Sequence, residues 1–162
     1  MFNTIIATQI YAKICFEATN SQKKIIENLS EYLSDDDFSR IFVLNGFAGT
    51  GKTTLIAALV AALKELRIKP VLLAPTGRAA KVLARYSGEQ ALTIHKRIYR
   101  QRTNADYESK FSLDFNKEQG AVFIVDEASM LSDTTGDGAL FGSGSLLEDL
   151  VSYVRSGRAC RL

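Results

Sequence analysis

The chain has 162 residues, 46% of them hydrophobic and 23% charged, and a formal net charge of +2. This length and balance suit one globular domain with a buried core and exclude a disordered or low-complexity chain. So small a net charge names no partner, and the two distant cysteines, Cys15 and Cys160, form neither a disulfide framework nor a zinc pattern, so a reducing, cytoplasmic setting is the simplest reading.

From the start, Met1 to Ile14 mixes apolar residues with Asn3, Thr4, Thr8 and Gln9, and no basic region precedes an apolar run, so a secretory leader is not expected. Gln22 to Leu33 sets Ile25, Ile26, Leu29 and Leu33 on one helical face. The acidic patch Asp35 to Asp37 separates this helix from Ile41 to Leu44, which reads as a buried strand ending at Asn45 and Gly46. A helix is expected to leave the following glycine-rich loop and run through Ala57, Ala58, Ala61 and Ala62 to Leu66. It carries Lys64 and Glu65 and is too short to span a bilayer, so no membrane partner is expected.

Pro70 closes that unit, and Val71 to Ala74 reads as a second buried strand. A helix around Arg78 to Tyr86, closed by Gly88, and a short helix near Thr93 come next. Gln101 to Gln119 is polar and mixed in charge, with Phe111, Leu113 and Phe115 alternating, and reads as a loop or a small hairpin. Ala121 to Val125 is the third strand, with Asp126 at its end. Thr134 to Ser145, rich in Gly, Asp and Ser, reads as a mobile loop. Leu146 to Val154 is a last amphipathic helix stopped by Gly157, and Arg158 to Leu162 begins a further strand. Strands alternating with helices predict an α/β fold: a parallel sheet with helices on both faces.

Two motifs carry chemistry. Gly46-Phe-Ala48-Gly49-Thr50-Gly51-Lys52-Thr53 has the spacing GxxxxGK[ST] between a strand and a helix. Its glycines let successive N–H groups turn toward phosphate oxygens, and the following helix adds its positive N-terminal end. Lys52 supplies a cation to the β- and γ-phosphates, the Thr53 hydroxyl ligates Mg²⁺, and Thr54 supports the α-phosphate. The cofactors expected are therefore ATP and Mg²⁺.

The apolar run Val122 to Val125 then delivers Asp126 and Glu127 to the edge of the sheet where ligands bind. Asp126 fits a second Mg²⁺ anchor acting through a bound water, and Glu127 fits the group that orients and deprotonates the attacking water. That glutamate favours a hydrolase over a P-loop phosphotransferase acting on a small substrate, the alternative enzyme. A non-catalytic nucleotide- or DNA-binding module is the alternative of a different class.

Between the motifs, Arg78, Lys81, Arg85, Lys96, Arg97, Arg100 and Arg102 face a single acid, Glu89, which suits a polyanion. Tyr86, His95 and Tyr99 are candidates to stack on bases, and Thr76 and Thr93 to bond backbone phosphates. The same stretch also fits a pair of solvated helix faces.

Taken together, Gly46 to Thr54, Ala74-Pro-Thr-Gly-Arg-Ala-Ala80, Thr93-Ile-His95 and Val125-Asp-Glu-Ala-Ser-Met130 resemble, in that order, the first RecA-like domain of superfamily 1 DNA helicases of the RecD/Dda/Pif type. The resemblance covers about Ser21 to Met130. It implies that Gln22 reads the adenine edge and that Pro75, Thr76, Gly77 and Arg78, with Thr93 and His95, touch single-stranded DNA. It also implies movement 5′ to 3′. The family's Gly-Asp-x-x-Gln motif and second RecA-like domain do not occur within these residues. The expectation is thus one domain, 1–162, as a fragment of a longer helicase, binding nucleotide but hydrolysing it weakly and not unwinding DNA alone.

Overall fold

A computed structural model describes residues 2–47, 49–103, 109–131 and 141–162. Ala48 of the glycine-rich loop, and residues 134–140 of the segment read as a mobile loop, lie outside the described residues.

The first helix, α1 (Phe2–Lys13), was not anticipated. Its Ile6 and Ile10 are fully buried against α2 (Asn20–Ser34) and α3 (Lys52–Glu65), where they join Ile26, Leu29, Leu33, Leu59 and Leu63. Burying two such side chains contributes roughly 3–6 kcal/mol, enough to fix a helix whose own amphipathic pattern is weak. α2 starts at a capping box. Thr19 Oγ1 accepts from Gln22 N–H (3.3 Å) while Gln22 Oε1 accepts from Thr19 N–H (3.0 Å), which satisfies two orphan donors.

Three parallel strands form the sheet, in the order β2 (Ala91–Thr93), β1 (Pro70–Ala74), β5 (Val122–Val125). Leu72 pairs with Ala91 on one side of β1 and with Ile124 on the other. The alternation of a strand's side chains divides the core. Leu72 faces α3 and α4 (Gly77–Ser87), meeting Val60 and Leu83. Val71, Leu73 and Phe123 face α5 (Ile94–Ile98) and α6 (Leu146–Ser156), meeting Ile94, Ile98, Leu150 and Tyr153. The sheet therefore has helices on both faces, as expected of a P-loop NTPase. The polar middle segment is a hairpin, with β3 (Tyr99–Thr103) antiparallel to β4 (Ser109–Leu113).

One strand expectation is corrected. Ile41 to Leu44 forms no strand, and it is not buried: Ile41 is 42% and Val43 74% exposed. Only Phe42 and Leu44 pack inward on the helical cluster. The reason lies in its neighbour. Arg161 and Leu162 occupy the place between this segment and β5, with Phe123 N–H donating to Arg161 O (2.8 Å) and Phe42 N–H to Leu162 O (3.0 Å). A single cross-bond does not make a ladder, and Ile41 and Val43 keep their outer face exposed. The same corner is pinned by Arg161, whose guanidinium lies over Phe38 (4.5 Å) and donates to Asp35 O.

Candidate nucleotide site and nucleic-acid edge

All three strands are parallel, so their carboxyl ends share one edge. β1 delivers Pro75, Thr76 and Gly77 there, β2 ends on Thr93, and β5 delivers Asp126 and Glu127. The glycine-rich loop reaches this edge from the other direction. The C-terminus of α3 hands the chain to the start of β1 at Pro70, and 14 residues of helix span about 21 Å. Its N-terminus, Lys52, is thereby carried past the length of the strands to their carboxyl side.

α3 begins without a side-chain cap, because its N-cap residue is Gly51. The N–H groups of Lys52, Thr53 and Thr54 precede the first intrahelical bond, from Leu55 N–H to Gly51 O (3.0 Å). Glycine suits position 51 because φ is +85°, in the left-handed region; a Cβ there would sit 2.7 Å from Gln22 Nε2, the far end of a flexible side chain that can move aside. That contact brings Gln22 to the loop, where its amide nitrogen also makes a long bond to Thr50 O (3.5 Å). Thr53 and Thr54 are exposed at the start of the helix. Lys52 folds back on the loop, donating to Gly46 O (2.5 Å) and Phe47 O (2.7 Å), and Thr50 Oγ1 donates to Phe47 O (2.8 Å). Phe47 itself is 88% exposed. A cavity of about 620 Å³ opens elsewhere, between α1, α2 and Phe42, and touches none of these residues.

Asp126 is held on both oxygens. Glu127 N–H donates to Oδ1 (2.9 Å) and Tyr86 Oη donates to Oδ2 (2.6 Å). Burial, and then the carboxylate beside it, push the Tyr86 phenol well above the ordinary tyrosine range, so it remains a donor. Glu127 is exposed and sits in the left-handed region at φ +56°, ψ +36°, a conformation that costs a non-glycine residue about 1–2 kcal/mol. Its carbonyl caps the turn Ala128–Met130. Sequence reasoning missed both features: Tyr86 was a candidate base stacker, and nothing in the motif marks the backbone of Glu127.

The predicted nucleic-acid residues divide into two groups. Thr76 and Thr93 are the N-caps of α4 and α5, accepting from Ala79 N–H and Lys96 N–H (both 3.2 Å), which leaves each hydroxyl proton free to donate outward. Thr76, Gly77 and Arg78 are exposed, and Lys81 and Arg85 continue the cationic surface along α4. His95 instead packs inward, edge-on to Phe141 (5.2 Å) and near Tyr99 (5.7 Å), and burial lowers its pKa so that it stays neutral. Tyr99 Oη donates to the buried Asp149 (2.6 Å). Part of the basic run is likewise internal. Arg97 pairs with Glu118 (2.6 Å), which also takes Lys69 (2.8 Å). Burial of Glu118 works to raise its pKa, but these two cations outweigh it and hold the carboxyl below its usual range.

Among the described residues no group of three or more His, Cys, Asp or Glu side chains could cage a metal, and no helix is long and apolar enough to cross a membrane. The edge offers isolated oxygen donors, Thr53 and Asp126, beside uncapped N–H groups. Such a set suits an anion together with a hard cation that keeps part of its own water.

The family model described as "AAA domain" matches residues 17–140. The chain is 29% identical over 113 residues to the ATP-dependent RecD2 DNA helicase of Deinococcus radiodurans, covering 70% of this chain and 15% of that protein. It is 39% identical over 92 residues to the ATP-dependent DNA helicase dda of Enterobacteria phage T4, covering 54% of this chain and 20% of that one. The chain thus spans less than a quarter of either relative. By the family match the chain belongs to the AAA domain family, and its motif order and its similarity to these two helicases are RecD/Dda-like, of superfamily 1.

Proposed function

We propose that this chain is the ATP-binding motor domain of an ATP-dependent DNA helicase, which couples hydrolysis to movement along single-stranded DNA in the 5′ to 3′ direction. The observation that carries the reading is the shared edge: the uncapped start of α3, the pair Asp126 and Glu127, and the capping threonines Thr76 and Thr93 all lie at the carboxyl ends of one parallel sheet. Phosphate chemistry and a nucleic-acid strand would meet on one rigid surface.

In this reading the loop from Gly46 to Thr54 wraps the phosphates, and Lys52 exchanges the carbonyls of Gly46 and Phe47 for phosphate oxygens. Gln22, already beside the loop, contacts the base. Thr53 and Asp126 would hold Mg²⁺, which fits this all-oxygen donor pair and, when bound, neutralises charge on the β- and γ-phosphates. Glu127 accepts the proton of the attacking water, and its exposed carboxylate leaves room for that water. Pro75 to Arg78 and Thr93 grip the DNA backbone. His95, half-buried and held by its packing on Phe141, stands with Thr93 in the second DNA-contacting segment. A second RecA-like domain of the same polypeptide would close over the nucleotide, so 1–162 alone binds nucleotide and turns it over slowly.

The test is steady-state phosphate release by the protein that carries this domain, with and without oligothymidylate. Stimulation by the oligonucleotide that is abolished by Lys52→Ala is expected. A rate indifferent to DNA and RNA would defeat the motor reading, and a rate indifferent to Lys52→Ala would defeat the site.

A further inference from the structure

Asp126 closes β5, yet one of its two hydrogen bonds comes from a different element: Tyr86, 40 residues earlier on α4. The tyrosine ring is accounted for by packing. It lies against the cluster of Val60, Leu72 and Leu83, on the face of the sheet shared by α3 and α4, and phenylalanine would fill the same space. The hydroxyl is not needed for that packing. Side chains on a helix lean toward its N-terminus, so the phenol of a residue late in α4 reaches back toward the carboxyl edge and meets Oδ2 there. With Glu127 N–H on Oδ1, the carboxylate is fixed in rotation, while each oxygen keeps a second lone pair for a further partner.

We propose that Tyr86 is a positioning residue for the metal–nucleotide complex: it holds the Asp126 carboxylate in the one orientation that accepts the cation's bound water. The inference rests on the reading of Asp126 as the Mg²⁺ anchor. Groups that orient a ligating carboxylate typically change metal affinity by 10–100-fold when removed. The bond also ties the anchor to α4, whose other end is the exposed Thr76 to Arg78 surface, so one helix touches both functions of the edge.

The experiment measures the Kd of a fluorescent ADP analogue for the full chain with Mg²⁺ and with EDTA, and takes the ratio as the metal's enhancement. Tyr86→Phe is expected to leave the metal-free Kd unchanged and to cut the enhancement about tenfold. Asp126→Ala is expected to cut it at least as far, and the double variant no further than Asp126→Ala alone. Full enhancement in Tyr86→Phe with loss in Asp126→Ala overturns the positioning role and leaves the anchor intact. Full enhancement in Asp126→Ala, or none in the wild type, overturns both. Additive losses in the double variant show that Tyr86 does not act through Asp126, and overturn the proposal. Tyr86→Met, which fills the same apolar space without a hydroxyl, is read the same way if Tyr86→Phe does not fold.

Discussion

Glu127 stands where chemistry and stability pull in opposite directions, and this can be measured. Its backbone is left-handed at φ +56°, and among the described residues its side chain makes no hydrogen bond or ion pair. Replacing it by glycine removes a strain of about 1–2 kcal/mol. Glycine's freedom in the unfolded chain takes back about 0.4–1 kcal/mol, so the net expectation is a gain near 1 kcal/mol. Glu127→Gln keeps the strain and should leave stability within about 0.5 kcal/mol.

With a urea m-value of about 1–3 kcal/mol/M, the glycine variant should unfold at a midpoint about 0.3–1 M higher. Equilibrium denaturation followed by far-ultraviolet circular dichroism reads this directly. Both variants should lose nucleotide turnover. The pattern sought is glycine more stable, glutamine unchanged and both inactive, which would mark a residue kept in a costly conformation for its carboxylate. A glycine variant less stable than wild type would refute the reasoning, because the backbone at 127 would then carry no strain to release.

The buried corner around Asp149 gives a second test. Gly142 has φ +43°, and a Cβ there would lie 1.9 Å from Asp149 Oδ2, whereas at Gly88 (φ +70°) it would meet nothing within 4 Å. Gly142→Ala should therefore cost about 1–3 kcal/mol more than Gly88→Ala in the same denaturation assay, and equal costs would contradict the crowding. Burial, and then the bond to Asp149, raise the pKa of Tyr99, so its contribution to stability is complete below the ordinary tyrosine value near 10 and is lost as pH climbs toward the folded value. Tyr99→Phe should accordingly make the alkaline decline shallower by up to about 1.4 kcal/mol per pH unit, and parallel declines would count against it. Thr19→Ala removes the capping box that aims Gln22, and should cost about 1 kcal/mol in stability while weakening nucleotide binding. Loss of stability with unchanged nucleotide affinity would separate Gln22 from the base.

What could be read in the sequence was whatever is local. The helix face of Ile26, Leu29 and Leu33, the stop at Gly88 and the apolar run before Asp126 each depend on residues within a few positions of one another, and each was legible. β2 was not, since Ala91 to Thr93 is too short to show a period and becomes a strand only beside β1. α1 was not, because what fixes it is burial of Ile6 and Ile10 against two later helices. Ile41 to Leu44 has the composition of a buried strand, but burial depends on what lies alongside. The site follows the same rule. The loop and the acidic pair are contiguous motifs, while Tyr86 on Asp126 and His95 on Phe141 are pairings across 40 or more residues that no spacing encodes.

The glycine-rich loop carries a further implication for how the edge would work. Lys52 and Thr50 already donate to the carbonyls of Gly46 and Phe47, so the loop's inward hydrogen-bonding capacity is partly met by its own atoms. A phosphate would have to draw Lys52 away from two neutral acceptors. It can do so because a full anion is the stronger partner for an ammonium group. Among the described residues the N–H groups of Lys52 to Thr54 have no such internal substitute, since Gly51 has no side chain to offer. In the proposed reading the helix start is ready for an anion, whereas the lysine must be released to it. On this account the helix terminus sets whether phosphate binds, and Lys52 responds to what is bound. Lys52→Ala should then weaken a nucleoside triphosphate more than inorganic phosphate, because the lysine's share grows with the number of phosphate oxygens that reach it.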